Sequence, residues 1–155
     1  MEKHKGGCSC GDVRYHITDE PLFTHACHCK LCQRYTASAF VVHSLIEASN
    51  FVIDKGKLIT TVGPSGSGSG HSIQRCERCG DQIFSHFAAL GTDRILVFKT
   101  TTLDNAECFP PLAHVFAKNK LSWVEFGKDI PSFDEFYDWD KVYSKRSLER
   151  RSKIN

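Results

Sequence analysis

Apolar and polar residues alternate in short runs along this chain. They are VRYHI (13–17), SAFVVHSLI (38–46), NFVID (50–54), KLITTVG (57–63), DQIFSHF (81–87), RILVFKTTTL (94–103) and LAHVFAK (112–118). Each is rich in β-branched and aromatic residues and is bounded by Gly, Pro, Asp or Ser, which is how short strands read. Before residue 130 no segment sustains an apolar period of 3.6, so no long amphipathic helix is predicted there. LIEASNF (45–51) leaves room for one helical turn. The pattern predicts a mainly β domain of antiparallel strands joined by turns.

Two stretches depart from it. GPSGSGSG (63–70) is a flexible loop by composition. It is either a solvated linker or a lip over a ligand site, and it precedes a cysteine motif directly. In IPSFDEFYDWD (130–140), acids interleave with Phe133, Phe136, Tyr137 and Trp139. This segment is expected to lay its aromatics on the sheet. Residues 141–155 then carry six Lys/Arg against Glu149 alone. They are expected to be a solvated or fraying basic tail behind a domain spanning 1–140.

Composition narrows the class. With 155 residues, 41% hydrophobic and 25% charged, the chain has enough material for one domain with a core. A net charge of +2 creates no global field for nucleic acid or an anionic membrane. The basic tail lacks an aromatic stacking platform, which argues against nucleic acid as a partner. No stretch approaches the roughly 20 apolar residues of a membrane helix. The opening MEKHKGGCSCGD has no apolar core of a secretory signal. The expected location is therefore the reducing cytoplasm, where cysteines serve as metal ligands or catalytic groups rather than disulfides.

The eight cysteines form three motifs and a singleton: Cys8 and Cys10 in GCSCG, Cys27, Cys29 and Cys32 in ACHCKLC, Cys76 and Cys79 in RCERCG, and Cys108 alone. On a strand, a Cys-x-Cys pair offers both thiols to one side. A Cys-x-x-Cys-Gly knuckle wraps tightly, with Gly80 free to take the left-handed conformation. Two such pairs complete a tetrahedral zinc site, so Cys8, Cys10, Cys76 and Cys79 read as a closed structural centre. Redox chemistry at the lone Cys-x-x-Cys lacks the surrounding βαβ pattern. Cys27, Cys29 and Cys32 remain as three ligands with an open fourth position, the pattern of a catalytic zinc. The alternative is a second closed site completed by His25, His28, His43, His86, His114 or Cys108. On a strand, His28 points away from the metal, and Cys108 reads as a buried apolar thiol.

The ordered motifs Gly-x-Cys-x-Cys-Gly, Cys-His-Cys-x-x-Cys and Cys-x-x-Cys-Gly resemble the glutathione-dependent formaldehyde-activating enzyme family, also called the centromere-protein-V family. SAFVVHSLIEASNFVIDKGKL, CERCGDQIF and FPPLAHVFAKNKLSWVEFGKDIPSF carry the likeness across residues 6–134. The resemblance implies an Mss4-like β-tent stapled by a four-cysteine zinc site at Cys8, Cys10, Cys76 and Cys79. It implies a catalytic zinc at Cys27, Cys29 and Cys32, and carbon–sulfur lyase chemistry that joins glutathione to formaldehyde. Where the family often continues its triplet with Arg, this chain has Gln33 and then Arg34.

Three thiolates leave zinc a poor Lewis acid for water but able to take a fourth thiol and deprotonate it. A small thiol such as glutathione and a small aldehyde are thus the expected partners. Lys30, Arg34, Arg75 and Arg78 flank the motifs and are candidates for glutathione's carboxylates, while the 65–70 loop can offer N–H groups. His28 or His114 are candidates for a proton relay. The alternative function is a zinc-stabilised binding module docking through its basic tail.

Overall fold

A computed structural model describes residues 4–154. Met1–Lys3 of the opening stretch and Asn155 of the tail lie outside the described residues. The strands are β1 (His4–Gly7), β2 (Arg14–Ile17), β3 (Phe23–Cys27), β4 (Val41–Glu47), β5 (Phe51–Lys55), β6 (Leu58–Gly63), β7 (His71–Cys76), β8 (Gln82–Phe87), β9 (Ile95–Lys99) and β10 (His114–Val115). A helix, α1 (Lys30–Thr36), follows β3, and α2 (Trp139–Val142) and α3 (Lys145–Ser152) close the chain. Strands β1, β2 and β5 form one antiparallel sheet. The other seven form a mixed sheet ordered β10-β3-β4-β9-β8-β7-β6, in which only β10 pairs in parallel. This is the mainly β architecture expected, and it agrees with an Mss4-like tent.

Three strands carry little of the alternating signal. β1 is HKGG, with no apolar residue. β3 is buried along its whole length, so its two faces cannot be told apart by polarity. β7 has a single aliphatic residue and a register shift between Gln74 and Arg75, where it bends toward the knuckle. The run at 112–118 yields only two strand residues, because Phe116 takes a left-handed backbone (φ 54°) and turns the chain. The helical turn near residue 48 is present as a 3-10 turn, Ala48–Asn50.

The large sheet is covered on both faces. Leu45 of β4 and Ile95 and Val97 of β9 enter one cluster, while their neighbours Ile46, Leu96 and Phe98 enter the other. The period of two sends consecutive residues to opposite faces. The second cluster packs against the three-stranded sheet through Tyr15, Ile17 and Phe51 and holds Cys8 and Cys76. The first holds Cys27, Cys29 and Cys32 and is roofed by Phe133, Tyr137, Trp139 and Tyr143. Phe133, Tyr137 and Trp139 thus lie on the sheet as predicted, while Phe136 stays exposed at the cavity.

The tail corrects the expectation of a solvated end. α3 docks through Leu148, with Val142 and Ile154 on either side of it. Arg150 Nε donates to Glu47 Oε1 at 2.8 Å, and Arg146 pairs with Asp19 and Glu20. Arg151 stacks 3.2 Å from the centre of the Trp139 ring. The acids Asp19, Glu20 and Glu47 are what the cluster of arginines meets, so its charge is spent inside the fold.

Candidate metal centres and the cavity between them

Cys8, Cys10, Cys76 and Cys79 converge, with their sulfurs all within 4.8 Å of one another. Cys8 Sγ lies 3.4 Å from Cys10 Sγ, which lies 3.8 Å from Cys76 Sγ. Cys8 and Cys10 follow β1 in a turn rather than sitting on a strand, as the Cys-x-Cys argument expected. Gly11 (φ 76°) and Gly80 (φ 80°) provide the tight returns. Val13 N–H donates to Cys8 Sγ at 3.2 Å, and Ser9 N–H donates to the Asp81 carboxylate at 2.7 Å, tying the two turns together. Four convergent thiols with an amide aimed at one sulfur are a donor set that fits zinc.

Cys27, Cys29 and Cys32 also converge within 4.8 Å. Cys27 ends β3, Cys29 is the N-cap of α1 and Cys32 sits in its first turn. Cys32 N–H donates to Cys29 Sγ at 3.3 Å, so a thiol does the capping a Ser or Asp usually does. No helix signal is legible here because α1 is seven residues long and buries only Cys32. The three cysteines are 4–9% exposed. Hydrogen bonds from Cys27 and Cys32 pull the Cys29 thiol well down, and its own pull on Cys27 pushes that thiol up. Among the described residues no histidine or carboxylate joins this group. Cys108 is exposed on a 3-10 turn, not buried as expected.

The three sulfurs lie in the wall of a cavity of about 820 Å³. Gly66 and Ser67 of the glycine–serine loop line it, so the loop is the lip and not a remote linker. A Cβ on Gly66 would stand 3.0 Å from Cys29 Sγ. Tyr35 of α1 donates to Pro64 O at 3.2 Å, and Ser65 Oγ accepts from Gly70 N–H at 3.0 Å, which holds the loop in place. The left-handed Phe116 puts its ring on the same wall.

Of the cations expected to flank the motifs, only Lys30 lines the cavity. Arg34 is exposed away from it. Arg75 donates to Thr61 Oγ1 and Gly80 O at the sheet, and Arg78 pairs with Asp12. Lys118, paired with Glu135, stands on the cavity rim instead. His28 and His114 bond each other (2.9 Å) beside Phe126 and are not among the lining residues. His28 follows the end of β3 and its amide bonds Val115 O, which turns the ring away from the sulfurs.

Strand register supplies a group that the sequence did not reveal. His25, His43 and Lys99 are direct partners across β3, β4 and β9. His25 and His43 line the cavity. Lys99 Nζ lies 2.9 Å from His43 Nε2. An ammonium only donates, so Nε2 is the acceptor and Nδ1 carries the ring proton. Burial pulls the Lys99 ammonium down to about 8, against the upward pull of the Cys32 and Cys27 sulfurs. Burial, then the charge of Lys99, holds His43 well below the usual imidazole range and His25 at about 3. His25 Nδ1 meets Tyr137 Oη at 2.9 Å.

The family described as glutathione-dependent formaldehyde-activating enzyme matches residues 3–119. A crystal structure of a Rhodobacter sphaeroides protein, a structural-genomics target, is similar with a TM-score of 0.49 and 19% identity, over 64% of this chain and 87% of that one.

Proposed function

This chain belongs to the glutathione-dependent formaldehyde-activating enzyme family, and on that premise we propose that it is a carbon–sulfur lyase-type enzyme joining or parting a small thiol, glutathione first, and a small aldehyde. The observation that carries this reading is the set of three buried sulfurs in the cavity wall with no fourth protein ligand among the described residues. Cys27, Cys29 and Cys32 hold one zinc, and Cys8, Cys10, Cys76 and Cys79 hold a second that serves the fold. Zinc at the triplet would bind the substrate's sulfur as a thiolate, since three thiolates make it a weak activator of water but an acceptor of a fourth sulfur.

The chain's own residues do the rest. The triplet fixes where the sulfur arrives, and Gly66 and Ser67 keep water from it. As the carbon–sulfur bond forms, the carbonyl π pair moves to oxygen. His43 gives its Nδ1 proton to that oxygen while Lys99 protonates Nε2; a proton from cavity solvent then returns to Nδ1 as Nε2 gives its proton back to Lys99. Cleavage runs the same path backward. Lys30 and Lys118 meet the carboxylates of glutathione; Arg34 and Arg75 stand too far from the cavity wall for that task. Free thiols throughout suit the reducing cytoplasm. Among the described residues no helix is long and apolar enough to cross a membrane.

Native mass spectrometry of the zinc-loaded protein with excess glutathione tests this. Two zincs and one glutathione adduct are expected, with the adduct lost in Cys29→Ser. An adduct that persists in Cys29→Ser removes the basis for the reading.

A further inference from the structure

The cavity is divided by chemistry. Its charged groups, Lys30, Lys118 and Glu135, are all exposed residues at the rim. Its interior holds His25 and His43 beside the sulfurs and is otherwise largely apolar: Leu45 and Val97 are buried on the sheet, and Phe87, Leu90, Phe116 and Trp139 complete the wall. Glutathione carries two carboxylates and one ammonium, and the rim offers two cations and one carboxylate. Its charged ends therefore match the rim and leave the interior to whatever is attached to its sulfur.

A hydroxymethyl group has two heavy atoms. It would leave most of a wall of about 820 Å³ facing water, a volume within the range of sites that bury a drug-sized ligand. Trp139, moreover, lies beyond the residues the family match covers. The Arg151 guanidinium stacked on it holds that ring against the cavity. This chain thus furnishes part of the apolar wall from its own C-terminal segment. That wall has no use in handling formaldehyde.

We propose that the site selects hemithioacetals whose aldehyde carries an apolar chain or ring of about six carbons, the tripeptide resting on the rim and the apolar group filling the interior. This rests on the lyase reading for its chemistry, but not for its ligand class. In the productive direction the thiolate sulfur bonds the carbonyl carbon of such an aldehyde and the oxygen takes one proton. No oxidant or reductant enters.

Stable thioethers separate the two. S-methylglutathione and S-hexylglutathione are titrated into the zinc-loaded full chain, with binding read by calorimetry and by tryptophan fluorescence. The hexyl compound is expected to bind at least about 30-fold more tightly, less than full burial of five methylenes would give. Leu90→Glu, which places a charge on the wall, is expected to shrink that ratio to about threefold. In parallel, kcat/KM is compared for glutathione with formaldehyde and with hexanal. Equal binding of the two thioethers overturns the inference and leaves the lyase reading standing. A hexyl preference without turnover of either aldehyde supports the ligand class and overturns the lyase reading.

Discussion

The two cysteine clusters are built from similar motifs, yet they sit on opposite faces of the large sheet and are suited to different work. The four-cysteine cluster bridges two turns. Cys10 and Cys79 are exposed, and its sulfurs satisfy one another's geometry without help from a cavity. The three-cysteine cluster is buried on all sides but one, and that side opens into the cavity. Ligand number alone does not separate a structural from a reactive centre; what stands beside the sulfurs does. Beside the first are an amide and a carboxylate that tie turns together. Beside the second are a glycine loop, a histidine row and a buried lysine.

Removing one sulfur from each cluster is the strongest way to break the comparison. Cys76→Ser is expected to unfold the chain, because metal affinity at a structural site, on the order of 10 kcal/mol, is folding free energy. Circular dichroism and bound zinc per chain both report it. Cys29→Ser is expected to keep the strand signal and one zinc while thiol-dependent turnover drops by about 100-fold or more. If both variants unfold alike, the two centres are equivalent and the distinction collapses.

A smaller effect sharpens the reactive side. His43→Gln is expected to lower kcat by roughly 100-fold, the usual scale for a lost general acid, with zinc content unchanged. Lys99 has its pKa lowered to about 8 by burial, so it is charged and able to donate below that pH and loses its proton as pH rises through it. Wild-type kcat/KM should therefore fall above about pH 8. In Lys99→Arg, kcat should drop at every pH and the fall above about pH 8 should vanish, since a guanidinium keeps its proton and cannot pass it to His43. Besides burial, the groups that set this value are the three cysteine sulfurs, which raise it, and Arg75, which lowers it; Lys99 donates to His43.

The smallest effect concerns the lip. The Cβ of Gly66→Ala would meet Cys29 Sγ at 3.0 Å. A rise in KM of about tenfold with zinc stoichiometry intact is expected, in keeping with a misplaced contact rather than a lost ligand. Steady-state kinetics with varied glutathione checks it.

The sequence carried much of this. The cysteine spacings pointed to two centres, and the alternating runs marked seven of the ten strands. β3 escaped because it is buried on both faces, and α1 because its start is held by a sulfur cap rather than by an apolar stripe. The basic tail misled, since its arginines find acids at Asp19, Glu20 and Glu47 that are more than a hundred residues away in the chain.

Local spacing is enough to dictate that thiols cluster in a group of four and a group of three on a mainly β frame, because it sets how many sulfurs one short segment can present. Which groups face those sulfurs follows from the folded arrangement alone. Strand register, not spacing, aligned His25, His43 and Lys99 from three distant segments, and a sheet covered on both faces put the two centres on opposite sides of one core.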